Sequence, residues 1–439
     1  MMLTRRAAER LKALVLVLTA VFFAWQLASG ALFEQLGGGF GWAALPSIAL
    51  LILMAGSYRL GAGEEPPEPS QEAQAPVWPV LLMALPLLAS LALPLHAHGE
   101  HGTSASLLLD GTLGGGARVS GVLYLAPADA DAPGLWLAPA DGGEPREVFS
   151  PERGVLDYAP APDGRRVAAT VPGTEGGEDI WLVDVLGRVS QPLTDCAPDA
   201  CRSPAWSADG SLLAYERVER GAETGRIWLL DLQTGETAPV YEDPQIAGSD
   251  PQFSREGSRL AFVDSSAGAI RVVDLEQGGA TLVPTQLREV GSLSPDGSAL
   301  VYADIRAVGR QYFSQLWLAT LGEGGELRSL LDDPQEEIAP AWSPDGRWIV
   351  YGSRRLDRAE GMAIQMMLYD VETGEVQQVT SGDEYNQTVF SWDASGSRVL
   401  VQRFRLDEMV AAPELWVYDL ATGEMTLLVE NAFDGAWLP

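Results

Sequence analysis

A short phrase recurs along the later part of this chain: a bulky apolar residue, a Ser-x-Asp-Gly turn, an apolar run, then a second apolar run ending in Asp. PAWSADGSLLAYER from Pro204 and PAWSPDGRWIVYGS from Pro340 are its clearest copies. The turn glycines Gly164, Gly210, Gly257, Gly297, Gly346 and Gly396 are separated by 46, 47, 40, 49 and 50 residues, a period that suits one four-stranded sheet per copy. Runs such as Leu212–Tyr215 and Trp348–Tyr351 follow the turn and are rich in the residue types that favour strands. IWLLD to Asp231, MMLYD to Asp370 and LWVYD to Asp419 supply a further strand, and the Thr-Gly-Glu turns after them offer Gly235, Gly374 and Gly423 for positive φ.

Sheets of this kind, covered on both faces by neighbours in a ring, make a β-propeller. Trp206, Phe253, Trp342 and Trp392 stand four residues before their turn glycines and are expected to pack between blades rather than stack on a ligand. Pro160 and Leu293 replace the aromatic in two copies. Six copies begin with a first strand, while Gly121–Ser150 holds only the later strands of another; Asp434–Leu438 resembles the missing start. Pairing the two ends would close the ring as an all-β, seven-bladed propeller, with the C-terminal strand completing the first blade. Six blades is the alternative. The fourth copy is irregular: WLAT at Trp317–Thr320 lacks the terminal Asp, and ADIRAVGRQYFSQ from Ala303 to Gln315 is a long insert.

From about residue 121 to 439 the chain resembles the TolB-like propellers with W-S-P-D-G repeats. PAWSPDG at Pro340–Gly346 matches closely, LSPDG at Leu293–Gly297 and PAWSADG at Pro204–Gly210 nearly so, while FSREG at Phe253–Gly257 and WDASG at Trp392–Gly396 drift. The resemblance implies the fold. It leaves function open between periplasmic scaffold proteins and the propellers attached to serine peptidases.

The first hundred residues follow different physics. Lys12–Ala28, Phe40–Tyr58 and Trp78–Leu95 are apolar runs near the roughly 20 residues that a membrane-spanning helix needs, so three transmembrane helices are expected before the propeller. Buried helices of another domain, or a secretory segment for the first run, are the alternatives. Arg5, Arg6, Arg10 and Lys12 would keep the N-terminus cytoplasmic, and three crossings would place the propeller outside the cytoplasm as part of a multi-pass cell-membrane protein. The reading divides the chain into a membrane region 1–98, a linker 99–120 and an extracytoplasmic propeller 121–439.

The formal charge of -31 argues against a nucleic-acid partner, which needs concentrated positive charge. Acidic residues crowd the turns, including Asp129, Asp131, Glu178, Glu336 and Glu337. They are expected to be solvated surface, with structural calcium as the alternative, although no EF-hand spacing occurs. Cys196 and Cys201, the only two cysteines, are separated by four residues in a loop and are expected to form a disulfide; two free thiols or a metal pair are the alternatives. All three histidines, His96, His98 and His101, stand in HAHGEH, which is either a weak metal site or a polar linker. The propeller segment therefore cannot assemble a Ser-His-Asp apparatus. No α/β-hydrolase domain of the kind that the peptidase relatives carry is encoded within these 439 residues.

The function expected is a membrane-anchored, non-enzymatic propeller without cofactor that presents a recognition surface to a cell-envelope or membrane protein. A small ligand or glycan is the other partner class. A ligand sensor coupled to the membrane helices, or a hydrolase with a noncanonical acidic site, are the competing functions. The candidate recognition segments are the inserts Arg306–Ser314 and Arg354–Ile364, with Arg306, Arg310, Tyr312, Arg354, Arg355 and Arg358; simple variation in loop length is the alternative.

Overall fold

The computed structural model describes residues 120–439, apart from 141–142, 175, 187–188, 323, 332–334, 356–362 and 408–410. The regular elements among the described residues are twenty-eight β-strands, from Gly121–Ala126 to Phe433–Trp437.

The recurrent phrase builds each sheet through two hydrogen-bonded turns. Ser207 Oγ donates to Asp209 at 2.7 Å and accepts from the Leu212 N–H at 2.9 Å, while Asp209 accepts from the Ser211 N–H. Gly210 sits between them at a φ of 70°, a conformation that glycine alone adopts without steric cost. Ser294 with Asp296 and Ser343 with Asp345 repeat the pattern. At the same end of the sheet, after the third strand, Asp231 accepts from the N–H groups of Gln233 and Thr234 at 2.8 and 2.9 Å, and Asp370 and Asp419 do the same in their copies. Ser and Asp thus recur because their short oxygens cap turns whose N–H groups would otherwise lack partners.

Five four-stranded antiparallel sheets stand separately, and a further eight strands form one continuous sheet. In that double sheet, strand Glu178–Asp184 meets strand Ala200–Trp206 through a parallel bridge between Glu178 and Ala200. The expectations of seven, or alternatively six, separate four-stranded blades are corrected to five, because the loop closed by Cys196 and Cys201 carries Ala200 alongside Glu178 and merges two neighbours. The Glu178 N–H donates to the Asp199 carbonyl at 3.2 Å within the same junction.

The expectation of three preceding transmembrane helices is also corrected. No helix among the described residues is long and apolar enough to cross a membrane, and the backbone there is satisfied by strand pairing. The ranges 12–28, 40–58 and 78–95, the membrane region 1–98 and the linker up to residue 119 lie outside the described residues. With no such helix among the described residues, the membrane anchor, the multi-pass location with an extracytoplasmic propeller, and the membrane-integrated partnership are not supported and leave the account.

Strand Phe433–Trp437 pairs antiparallel with Gly121–Ala126, Val122 opposite Trp437 and Leu123 opposite Ala436, so the C-terminal end of the described chain is locked to its start. First strands of neighbouring sheets lie side by side, the arrangement that in a propeller surrounds a central channel. Apolar clusters fill the gaps: Leu123 and Leu135 meet Val155 and Val167, Val350 and Met366 meet Phe390 and Val401, and Tyr124 meets Leu400 and Leu415. Each such fully buried side chain contributes roughly 1.5–3 kcal/mol, which makes the ring a rigid support for its loops.

Candidate functional site

In an antiparallel four-stranded meander, the turns joining first to second strands lie on one face, and those joining second to third strands lie on the other. Ser-x-Asp-Gly turns occupy the first face. The opposite face carries the most prominent projection among the described residues, a hairpin of two ten-residue strands, Ala299–Val308 and Gln311–Thr320. The insert that reads as a loop in the sequence is therefore paired throughout, from Ala303 opposite Leu316 to Val308 opposite Gln311.

The hairpin base is fixed by buried polar contacts. The Leu316 N–H donates to Glu337 Oε2 at 2.8 Å, Gln315 Nε2 donates to the Leu331 carbonyl, and Arg306 Nη1 donates to Gln315 Oε1 at 2.6 Å. Beyond them Phe313 turns inward, whereas Tyr312 is 76% exposed, the most exposed large apolar side chain among the described residues. A rigid strand pair thus holds an aromatic ring in water, where a tyrosine offers wide apolar contact at low entropic cost.

Three carboxylates stand at the channel mouth on the same face. Asp157, Asp250 and Asp434 lie near the starts of first strands Asp157–Pro160, Ser249–Phe253 and Phe433–Trp437. Asp250 and Asp434 have φ near 50°, as does Ser203 in the copy between Asp157 and Asp250, and each accompanies a register irregularity that turns the residue out of the ladder. Ser203 Oγ donates to Asp250 at 3.3 Å. Desolvation, then the Asp434 charge, pushes the Asp157 carboxyl up to about 7 against the lowering effect of backbone hydrogen bonds; desolvation pushes Asp434 up to about 6. Asp434 is nevertheless open to solvent. The two facts agree if protein surrounds the carboxylate on most sides while the channel leaves a narrow path for water. Tyr158, buried beside this pair, donates its hydroxyl hydrogen to the carbonyls of Leu123 and Asp434, and burial raises its own pKa well above the usual value.

The other residues singled out in the sequence are placed as follows. Cys196 and Cys201 are joined in a disulfide, with both residues buried. Trp206 and Trp392 are buried, and Phe253 and Trp342 are partly buried against neighbouring sheets. Arg354 is paired with Glu336 rather than free. Arg355 ends strand Trp348–Arg355, and Arg358 lies outside the described residues, as do His96, His98 and His101. Among the described residues no group of three or more His, Cys, Asp or Glu side chains is placed to hold a metal ion.

Sequence reading missed the channel carboxylates. Their signal is positional: Asp157, Ser203, Asp250, Val290, Ala339, Val389 and Asp434 each stand three residues before the aromatic or its replacement, and only part of the ring carries Asp there.

The architecture is that of a β-propeller, with the recurrent Ser-x-Asp-Gly phrase supplying its turns. No family model matches the chain. It is 25% identical over 205 residues to the uncharacterized peptidase YuxL of Bacillus subtilis, covering 45% of this chain and 29% of that protein. It is 22% identical over 347 residues to dipeptidyl-peptidase 5 of Porphyromonas gingivalis, covering 66% of this chain and 50% of that one. The chain thus spans half or less of the length of these two relatives. Among solved structures, TolB from Acinetobacter baumannii is similar with a TM-score of 0.42 at 19% identity, over 72% of this chain and 82% of that one.

Proposed function

We propose that this propeller is a non-catalytic recognition module that binds a protein partner on the face carrying the long hairpin and the channel mouth. The observation that carries the reading is Tyr312, held 76% exposed at the end of a hairpin whose base is buried and hydrogen-bonded. An exposed aromatic on a rigid support suits a contact anchor. The carboxylates of Asp157, Asp250 and Asp434 on the same face favour a partner that brings basic side chains.

Catalysis has less support. No histidine occurs after residue 101, so a Ser-His-Asp triad cannot be drawn from the propeller. The peptidase names of the relatives belong to proteins of which this chain spans 29% and 50%.

The test places a photo-crosslinking residue at position 312 and, separately, at position 276 on the opposite face, in the full chain. The reading expects one protein to be captured at 312 and not at 276. Equal capture at both positions, or capture at neither, would count against it.

A further inference from the structure

We propose that the cavity of about 450 Å³ beside strand Arg398–Arg405 binds a small carboxylate that carries a neighbouring N–H or O–H donor, with Arg403 taking the carboxylate and Gln387 Oε1 accepting from the donor. The site is separate from the hairpin surface and does not rest on the recognition reading.

Strand register assembles it. Gln387 stands opposite Arg403, and Arg403 stands opposite Glu414, so the three form one line across the sheet. Two residues along the flanking strands, on the same face by strand alternation, are Tyr385 and Trp416. Both rings border the guanidinium: Arg403 Cζ lies 3.8 Å from the Tyr385 ring centre and 4.4 Å from that of Trp416, and the two rings are inclined at 65° to each other. Contact with aromatic rings leaves the N–H donors of a guanidinium in its own plane, the geometry that receives a carboxylate through two parallel hydrogen bonds.

The donors have not been claimed by the protein. Arg403 Nε is buried without a hydrogen-bond partner among the described residues, and burial pulls the pKa of Arg403 below its ordinary value. On the same strand Arg398 pairs with Asp393 at 3.3 Å and Arg405 with Asp407 at 2.8 Å. Glu414, the nearest acid by register, instead accepts from Trp416 Nε1 at 2.7 Å. In a chain with 60 acidic and 29 basic residues, shortage of carboxylates does not explain an arginine without an ion pair. A half-buried cation beside two aromatic rings is costly to leave unanswered and ready for an anion from outside.

Gln387 gives the second, independent indication. Its side chain lines the same cavity, is only 2% exposed, donates to the Tyr385 carbonyl at 3.4 Å, and leaves Oε1 without a donor among the described residues. A buried carbonyl oxygen beside an unclaimed guanidinium asks for a ligand with an acceptor pair and a donor close together. Asp383 and Glu384 on the cavity wall repel a second negative charge, so the fit is to a monocarboxylate. A free hydroxy or acylamino acid and the C-terminal residue of a peptide share that chemistry.

The test is calorimetric titration of the full chain with N-acetylglycine, its amide, acetate, and a blocked tetraglycine with a free C-terminus. N-acetylglycine is expected to bind saturably and its amide not to bind. Arg403→Lys should weaken N-acetylglycine by about tenfold or more, since lysine keeps the charge and loses the fork. Gln387→Leu should weaken N-acetylglycine while leaving acetate unchanged. Tighter binding of the tetraglycine would assign the site to a peptide C-terminus, and equal binding to a free acid. Should Arg403→Lys lower the melting temperature enough to unfold the chain, the contrast between N-acetylglycine and acetate in Gln387→Leu decides alone. Absence of saturable binding by every carboxylate, or affinities untouched by both substitutions, would overturn the proposal.

Discussion

The copy around Trp437 and the copy around Leu293 occupy the same ring and solve the same packing problem differently. Trp437 Nε1 donates to the Ser391 carbonyl at 3.1 Å, as Trp392 does to Ala341 at 3.1 Å and Trp206 to Ala159 at 3.0 Å. In each case the indole reaches the residue immediately before the corresponding position in the preceding copy. That makes the tryptophan a hydrogen-bonded peg between first strands as well as an apolar filler. Where the preceding copy has Leu293, the first strand shrinks to Ser292–Leu293 and the ladder breaks. The next tryptophan, Trp342, has a buried Nε1 without a partner among the described residues, and its backbone N–H takes Ser292 Oγ at 3.2 Å instead. Trp317, inside the irregular copy, likewise has a buried Nε1 without a partner. The same copy extends its second and third strands to ten residues each and lifts Tyr312 into solvent. Regular copies hold the ring together; the irregular one gives up part of that bonding and carries the projection.

The contrast can be broken most forcefully at Trp206. Trp206→Ala removes a buried ring, its hydrogen bond and its stacking with Arg166 at 5.1 Å, and is expected to destabilise the chain by about 3–5 kcal/mol in chemical denaturation. A loss below about 1 kcal/mol would mean that the peg is ornamental.

The channel offers a sharper version. Asp157 is raised from 3.8 to about 7 in the folded chain, so the stabilisation from its neutral form is complete below about pH 4 and disappears as pH rises through 7. Asp157→Asn should therefore raise stability at pH 8 by of order 1–2 kcal/mol, after discounting for solvent in the channel, and change little at pH 4. The irregular copy carries Val290 at the equivalent position, and Val290→Asn should destabilise without that pH dependence. Identical melting shifts for Asp157→Asn at the two pH values would remove the carboxylate crowding from the account.

The smallest effect concerns the indole hydrogen bond alone. Trp392→Phe should cost about 1 kcal/mol more than Trp342→Phe, because only Trp392 has a carbonyl to lose. Equal costs, measured by denaturant midpoints, would show that the ladder adds nothing to packing.

How much was legible in advance follows from the same contrast. The turns could be read because Ser207, Asp209 and Gly210 act within five residues of one another, and the closing strand because Asp434–Trp437 repeats the phrase. The disulfide was legible because only two cysteines exist, close in sequence. The merging of two sheets was not, since it depends on where that disulfide loop delivers Ala200 in space. The hairpin was visible as an insert of unusual length, but its support was hidden because Glu337, which takes the Leu316 N–H, comes from the neighbouring sheet. Arg354 read as a candidate recognition residue, but its pairing with Glu336 depends on strand register, and Arg403 and Gln387 gave no signal at all. Three apolar runs suggested membrane helices by length, which is a property of composition and not of a fold.

The division of labour between regular and irregular copies is tested most directly by shortening the hairpin. Replacing Ala307–Tyr312 with an Asn-Gly turn preserves the pairing of Arg306 with Phe313, keeps the hairpin base, and removes Tyr312. With the protein captured through position 312 as the partner, the account predicts a melting temperature close to that of the parent chain together with loss of partner binding. Retained binding, or collapse of the ring, would contradict it.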